Sequence, residues 1–369
     1  MAAGPSDGVA GAARPVPPGG VLGVLGGGQL GRMTALAAAR LGYRAHIYAP
    51  EADAPAAEVA WRTTQAAYDD AAALAAFAAS VDAVTVEFEN VPEVALATIA
   101  ATAPTRPNAA ALATAQDRLV EKRFLQSVGF GTAPFMAVDG PDDIRAALAD
   151  LGGPVVVKTR RFGYDGKGQA RVETASEAEA VWAALGEAPS IAEGFVDFER
   201  EISVIAARDV AGRVACYPAV ENRHENHILR RSLAPAPALG ALAGEAERLA
   251  AAAVAALDMV GLLAVEMFVT AAGGLLANEM APRPHNSGHW TMDFAETSQF
   301  EQLVRAAMGL PLGDPSPTAP AEMWNLLGDE ADDWPRLLAT PGVRLHLYGK
   351  REARPGRKMG HWNRALALE

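Results

Sequence analysis

The 369-residue sequence predicts an α/β segment followed by an α+β segment, and three observations carry that expectation. Short apolar runs alternate with helical stretches from residue 21 to about residue 115, as a parallel doubly wound sheet requires. From there to about residue 310 the apolar runs come in adjacent pairs, which points to antiparallel sheets. The remainder is rich in Pro and Gly and ends in a basic stretch, a small third unit.

Taken in order, the first 20 residues, Ala/Gly/Pro-rich with one Arg, are expected to form a disordered tail and lack a charged-then-apolar leader pattern. "VLGVL" (21–25) is a strand, "QLGRMTALAAARLG" a helix closed by Gly42, "RAHIY" a strand and "DDAAALAAFAASV" a helix. "AVTVEF" is the next strand, and "PEVALATIAA" a helix with Pro92 at its start. "DRLVEKRFLQSVG" and "PDDIRAALADLGG" read as helices on either side of the strand "APFMAV". "PVVVKT" and "GQARVE" read as two strands joined by a Gly-rich loop. After "SIAEGF", "REISVIAAR" and "RVACYPAV" comes an Ala-rich helix at 241–258, then the strands "GLLAVEMFV" and "GLLANEM".

Composition narrows the function. With 32 Lys and Arg against 44 Asp and Glu the net charge is -12, so no general basic field draws the chain to nucleic acid or anionic lipid. Any phosphate must be met by a local cluster. The apolar stretch at 249–268 is interrupted by Asp258 and Glu266, so no run of the roughly 18 residues a membrane helix needs is present. The single cysteine, Cys216, excludes an internal disulfide, suits a reducing cytoplasm and reads as a small buried hydrophobe. Lysine occurs only at 122, 158, 167, 350 and 358, against 27 arginines, so each lysine raises the question of a required point charge. Lys122, in a helix, fits a surface position as well.

"VLGVLGGGQLGRM" places Gly26, Gly28 and Gly31 in a G-x-G-x-x-G spacing after a strand, the pattern of a dinucleotide site. Such a site also needs an acid ending the second strand, but here the first, Glu51, lies beyond a proline. The glycines then serve a tight turn, or present backbone amides to another anionic ligand. "EFENVP" puts Glu87 and Glu89 at the carboxyl end of a parallel strand, where ligands collect; either a ligand hydroxyl or amine offsets them or they are solvated loop acids.

"VVVKTRRFGYDGKGQARV" combines Lys158, closing a strand, with a loop carrying Gly163, Tyr164, Asp165, Gly166, Lys167 and Gly168. Glycines that expose backbone amides, flanked by cations, suit a phosphate lid; a polar hairpin turn is the alternative. It is not a Walker loop, because Lys167 is followed by Gly168 and a strand.

In "VEMFVTAAGGLLANEM" a two-residue turn at Ala272-Gly273 sets Glu266 directly opposite Glu279, and a turn at Gly273-Gly274 keeps both on one face. A three-residue loop would separate them. Like charges so placed destabilise a hairpin unless a cation lies between them, and magnesium bridging nucleotide phosphates is the natural candidate. "APRPHNSGHW" follows with Arg283, His285, Asn286, Ser287 and His289, a capped turn or an anion pocket. "GKREARPGRKMGH" carries Lys350, Arg351, Arg354, Arg357 and Lys358, a solvated basic strand or a phosphomonoester clamp.

Together "GGGQLGRM", "EFENVP", "DRLVEK", "KTRRFGYDGKGQ", "NEMAPRPHNSGHWT" and "RPGRKMGH", in this order, resemble the ATP-grasp superfamily and within it the 5-(carboxyamino)imidazole ribonucleotide synthases. The resemblance implies a Rossmann-like N-terminal domain (21–115), an ATP-grasp domain of two subdomains (116–310) and a small C-terminal domain (311–369). It implies ATP- and bicarbonate-dependent carboxylation of 5-aminoimidazole ribonucleotide in purine biosynthesis, with magnesium, in a cytoplasmic homodimer. ATP phosphates would meet Arg118, Lys158 and the loop Gly163–Gln169; adenine would lie against Glu193, Gly194, Phe195 and Val196, and the ribose at Glu201. His224 would sit near the nucleotide, and Glu266 and Glu279, with Asn278 beside them, would hold magnesium. Gln29, Leu30, Glu87, Tyr164, Asp165 and Lys167 would line the ribonucleotide site, with Lys350, Arg357 and Lys358 on its 5'-phosphate. Arg283 and His285 would orient bicarbonate and carboxyphosphate, and Asp165 would accept the amine proton.

Two departures stand out: Phe162 occupies a lid position where a small residue is common, and the family usually continues through a further strand and helix beyond "HWNRALALE". The rival readings are a formate-dependent ATP-grasp transformylase, a nucleotide-binding module without turnover, and an NAD oxidoreductase.

Overall fold

The computed structural model describes residues 14–163 and 168–366. The lid residues Tyr164, Asp165, Gly166 and Lys167 therefore lie outside the described residues.

The N-terminal part is a four-stranded parallel sheet of β1 (Val21–Leu25), β2 (Arg44–Ala49), β3 (Arg62–Gln65) and β4 (Ala83–Val86), in the order β3-β2-β1-β4. Helices α1 (Gln29–Arg40) and α2 (Ala71–Ala78) are its crossovers and α3 (Glu93–Ala100) follows β4, in the alternation the sequence predicts. Leu22, Val24 and Ile47 on the central strands have no exposed surface. β3 has no counterpart in the sequence reading. Its four residues, Arg-Thr-Thr-Gln, pair only with β2 at the sheet edge and present no apolar run to detect.

Residues 14–20, assigned to a tail, are instead tethered in part: Val16 N donates to Met308 O at 2.9 Å, and the Tyr43 hydroxyl donates to Val16 O at 2.6 Å.

Helices α4 (Ala109–Gln116) and α5 (Arg118–Ser127) lead out of this sheet, capped by Asn108, which accepts from Ala111 N, and by Asp117, which accepts from Leu119 N and Val120 N. After the short β5 (Gly131–Thr132), strands β6 (Phe135–Val138), β7 (Val155–Thr159), β8 (Gln169–Val172) and β9 (Ser190–Gly194) form an antiparallel sheet of order β6-β9-β7-β8. Helices α6 (Pro141–Asp150) and α7 (Ala178–Ala184) pack against it through Ile144, Ala147 and Ala178.

The largest sheet has ten strands. β10 (Phe198–Arg208), β11 (Val214–Cys216), β12 (Val220–Glu225), β13 (Ile228–Ala234), β14 (Gly261–Thr270) and β15 (Leu275–Ala281) join β5 on one side. On the other side, β16 (Ala321–Leu327), β17 (Arg344–Leu347) and β18 (Lys358–Ala365) extend the same sheet through the β13–β16 pairing, so the C-terminal strands are not detached from it. Side-chain alternation divides its faces. Ile202, Val204 and Ala206 pack with Leu249 and Ala253 of α8 (Ala241–Ala256), while Glu201 and Ser203 turn to the opposite face. Among the described residues no helix is long and apolar enough to cross a membrane.

Candidate active site

The glycine turn at the start of α1 is occupied by the protein itself. The Glu87 carboxylate accepts from Gly28 N on one oxygen and from Gly31 N at 2.8 Å on the other. A Cβ on Gly28 would stand 2.7 Å from Glu87 Oε1, and one on Gly26, at φ 109°, would overlap Glu87 Cγ. The anion position that a dinucleotide would use is thus filled by a carboxylate, which is the physical reason for the glycines here. Burial outweighs these hydrogen bonds and holds the Glu87 carboxyl above its ordinary range. Glu89 turns to Arg283, whose Nε donates to Glu89 Oε2. Burial opposes its ionisation, but the guanidinium prevails and lowers its pKa. Backbone amides thus meet the Glu87 carboxylate and a guanidinium meets that of Glu89.

Across the large sheet, Glu266 of β14 pairs directly with Glu279 of β15, as the hairpin argument requires. The turn differs from the expected two-residue form: Gly273 N and Thr270 O, 2.9 Å apart, and Thr270 N and Gly274 O, 3.0 Å apart, close a three-residue loop. Such a loop alone would have set Glu279 out of step. A bulge corrects it, because Met267 pairs with Ala277 and Glu266 with Glu279, leaving Asn278 as the extra residue. Asn278 Oδ1 is buried with no hydrogen-bond partner.

Each of the two glutamates meets a different nitrogen group. Arg118 donates to Glu279 at 2.8 Å, and His285 Nε2 lies 2.9 Å from Glu266 Oε1. Burial would raise the Glu279 pKa, but Arg118, with Lys158 and His285, brings it down to about 2.

Lys122 is not a surface residue. It is 1% exposed, and its Nζ lies 3.2 Å from Glu193 Oε2, the atom that Lys158 Nζ reaches at 3.1 Å. Glu193 is buried too, and although burial opposes its charge, the two lysines hold its pKa below the usual carboxylate range. Its other oxygen, Oε1, is buried and has no partner. Next to Lys122, Glu121 accepts from Met280 N at 2.6 Å, one residue beyond Glu279. Burial, with the nearby Glu279 charge and against Arg118, raises its pKa to about 8. Neither residue was identified as part of the site from sequence; the scarcity of lysine was the available signal.

A cavity of about 760 Å³ lies between the N-terminal sheet, the small antiparallel sheet and the large sheet. Gln29, Leu30, Glu87, Arg118, Lys158, Gly163, Gln169, the segment 193–196, Glu201, His224, Glu266, Asn278, Glu279, Arg283, His285 and Lys358 all line it. His224 Nδ1 lies 3.0 Å from Glu201 Oε2, and although burial opposes it, that carboxylate raises the His224 pKa. Gly168, Lys350 and Arg357 do not line it. Lys350 Nζ donates to Lys358 O at 2.7 Å, and Arg357 donates to Glu352 O at 2.9 Å, so only Lys358 of the expected clamp faces the cavity. Phe162 adopts φ 66°, a region that favours glycine.

Residues 20–116 match the ribonucleotide synthetase preATP-grasp domain family, 123–300 the ATP-grasp domain family, and 321–366 the phosphoribosylaminoimidazole carboxylase C-terminal domain family. The chain is 52% identical over 350 residues to N5-carboxyaminoimidazole ribonucleotide synthase of Brucella melitensis, covering 94% of this chain and 96% of that protein. A crystal structure of N5-carboxyaminoimidazole ribonucleotide synthetase from Thermus thermophilus superposes with a TM-score of 0.87 at 47% identity, over 94% of this chain and 93% of that one. N5-carboxyaminoimidazole synthase from Aspergillus clavatus, in complex with ADP and 5-aminoimidazole ribonucleotide, gives a TM-score of 0.86 at 31% identity, over 95% and 94%. The chain belongs to the N5-carboxyaminoimidazole ribonucleotide synthase family of ATP-grasp ligases.

Proposed function

We propose that this chain converts 5-aminoimidazole ribonucleotide, ATP and bicarbonate to 5-(carboxyamino)imidazole ribonucleotide, ADP and phosphate, in purine biosynthesis. The observation that carries the reading is the Glu266–Glu279 pair with Arg118 and Lys158 in one cavity, together with the glycine- and cation-rich sequence that follows the strand of Lys158. Arg118, Lys158 and the loop 163–169 would meet the phosphates of ATP, with 193–196 at adenine, and with Glu201 and His224 at and near the ribose. The unpartnered Glu193 Oε1 suits an amino-group donor.

Two opposed carboxylates and the unpartnered Asn278 Oδ1 fit a hard divalent cation, and Glu266 and Glu279 are the residues to hold magnesium. Its chemistry would be to neutralise charge that builds on phosphate oxygens. In the first step a bicarbonate oxygen bonds to the γ-phosphorus as the bond to ADP breaks. In the second, the carbon–oxygen bond of carboxyphosphate breaks, releasing carbon dioxide and phosphate, and the exocyclic amine bonds to the carbon and loses a proton. Arg283 and His285 face the cavity as orienting groups for bicarbonate, and Asp165 is proposed as the acceptor of the amine proton. Gln29, Leu30, Glu87, Tyr164 and Lys167 would line the ribonucleotide site, and Lys358, assisted by Lys350 and Arg357, would receive the 5'-phosphate. The proposed units are 21–115, 116–310 and 311–369, in a cytoplasmic homodimer.

Oxygen tracing tests the mechanism. With oxygen-18 bicarbonate, one labelled oxygen should appear in each phosphate released with the ribonucleotide present. Unlabelled phosphate would refute carboxyphosphate formation.

A further inference from the structure

One face of the large sheet carries a buried polar row. Ser232 of β13 stands opposite Asn222 of β12, Asn222 opposite Glu201 of β10, and Ser203, two residues further along β10, opposite Glu266. Ser203, Asn222, Ser232 and Ser287 are each 4% exposed or less. Buried hydroxyls and amides in mid-sheet are costly unless joined, and these are joined end to end. Ser232 Oγ donates to Asn222 Oδ1 at 2.8 Å, Asn222 Nδ2 to Ser203 Oγ at 2.9 Å, and Ser203 Oγ to Ser287 Oγ at 2.7 Å. Ser287 Oγ lies 2.8 Å from His285 Nδ1.

The direction of this chain is set at its His285 end. Glu266 Oε1, 2.9 Å from Nε2, requires a proton on Nε2, and the Ser287 backbone N–H points at Nδ1 from 3.3 Å, so Nδ1 accepts. One pattern satisfies both contacts. Ser287 donates to Nδ1, Ser203 donates to Ser287, and Asn222 must turn its amide nitrogen to Ser203. The opposite amide orientation would reverse every hydroxyl and place two protons between Ser287 and the imidazole. We infer that Ser203, Asn222 and Ser232 are positioning residues of this ligase, acting through Ser287 to hold His285 as a proton donor at Nε2, aimed at Glu266. The inference rests on the proposed function for its catalytic meaning. The tautomer rests on geometry alone.

Nitrogen-15 NMR of histidine-labelled protein reads the tautomer directly, with the His285 signals identified by their loss in His285→Gln. The wild type should show a protonated Nε2 and an unprotonated Nδ1. In Ser203→Ala the two nitrogens should move toward a mixture, and kcat for ribonucleotide carboxylation should fall about tenfold while the KM for ATP stays within about twofold. Ser203→Thr, which keeps the hydroxyl, should restore both readings. Asn222→Asp, which keeps the shape but cannot donate, gives the same test should Ser203→Ala fold poorly. A wild-type His285 protonated at Nδ1, or variants with unchanged signals and unchanged kcat, would overturn the inference. The nitrogen signals are read without substrate, so a failure here is distinguishable from a wild type that carboxylates nothing, which would count against the proposed function.

Discussion

Glu266 and Glu279 face one another across adjacent antiparallel strands, and each leans on a different donor: Glu279 on Arg118 at 2.8 Å, Glu266 on His285 at 2.9 Å. Two carboxylates kept ready in this way, instead of neutralised by each other's protons, make a site for a divalent ion. Glu279→Gln should therefore lower magnesium-dependent ATP cleavage by about 10²–10³ with the fold retained, as loss of one preorganised charge-stabilising group does. Steady-state kinetics beside a thermal melt checks this, and unchanged turnover would remove the metal assignment.

The glycine turn predicts non-additivity. Gly28→Ala would force a methyl against Glu87 Oε1 and should cost about 1–3 kcal/mol, as overpacking does. Adding Glu87→Ala vacates that space, so urea denaturation of the double variant should show less destabilisation than the sum of the singles. Additive losses would mean that the glycines serve the turn alone.

Glu121 predicts a slope of stability with pH. Its folded pKa of about 8 lies above its ordinary value of 4.5, so between those pH values the folded chain holds a proton that the unfolded chain has released. Stability from this group is full below about 4.5 and is lost as pH rises toward 8. Denaturant unfolding of Glu121→Gln should show a flatter pH dependence than wild type across that window. Parallel curves would contradict the assignment.

Lys358 faces the cavity, while Lys350 and Arg357 do not line it and donate to the Lys358 and Glu352 carbonyls. Lys358→Ala should raise the KM for the ribonucleotide more than the KM for ATP, and Arg357→Ala should have the smaller effect on both. The reverse order, read from initial rates, would move the clamp to the solvent-exposed loop.

Much of this architecture is legible from residue pattern. The parallel strands β1, β2 and β4 show as apolar runs, and the Glu266–Glu279 pairing is the one a two-residue turn predicts, although the chain reaches it by another route. What escaped notice has specific causes. β3 is a polar edge strand with nothing to bury. The hairpin loop is one residue longer than expected, and the Asn278 bulge that compensates leaves no mark in hydrophobic periodicity. Lys122 looks like any helical lysine until β9 brings Glu193 against it, a contact 71 positions away in sequence. The row Ser203, Asn222, Ser232 lies on three strands, and only their registers show that it is a row. Motif resemblance pointed to residues that line the cavity, Arg118, Lys158, Glu266 and Glu279 among them, but also to Lys350 and Arg357, which do not, and the partners that charge and orient them are set by long-range pairing.

The most direct measurement is ADP release from magnesium ATP with bicarbonate or formate, each with and without 5-aminoimidazole ribonucleotide. Release stimulated by bicarbonate together with the ribonucleotide, with labelled bicarbonate carbon in an acid-labile product, is the predicted result. Release that depends on formate, or that ignores the ribonucleotide, would contradict the assignment of this cavity to ribonucleotide carboxylation.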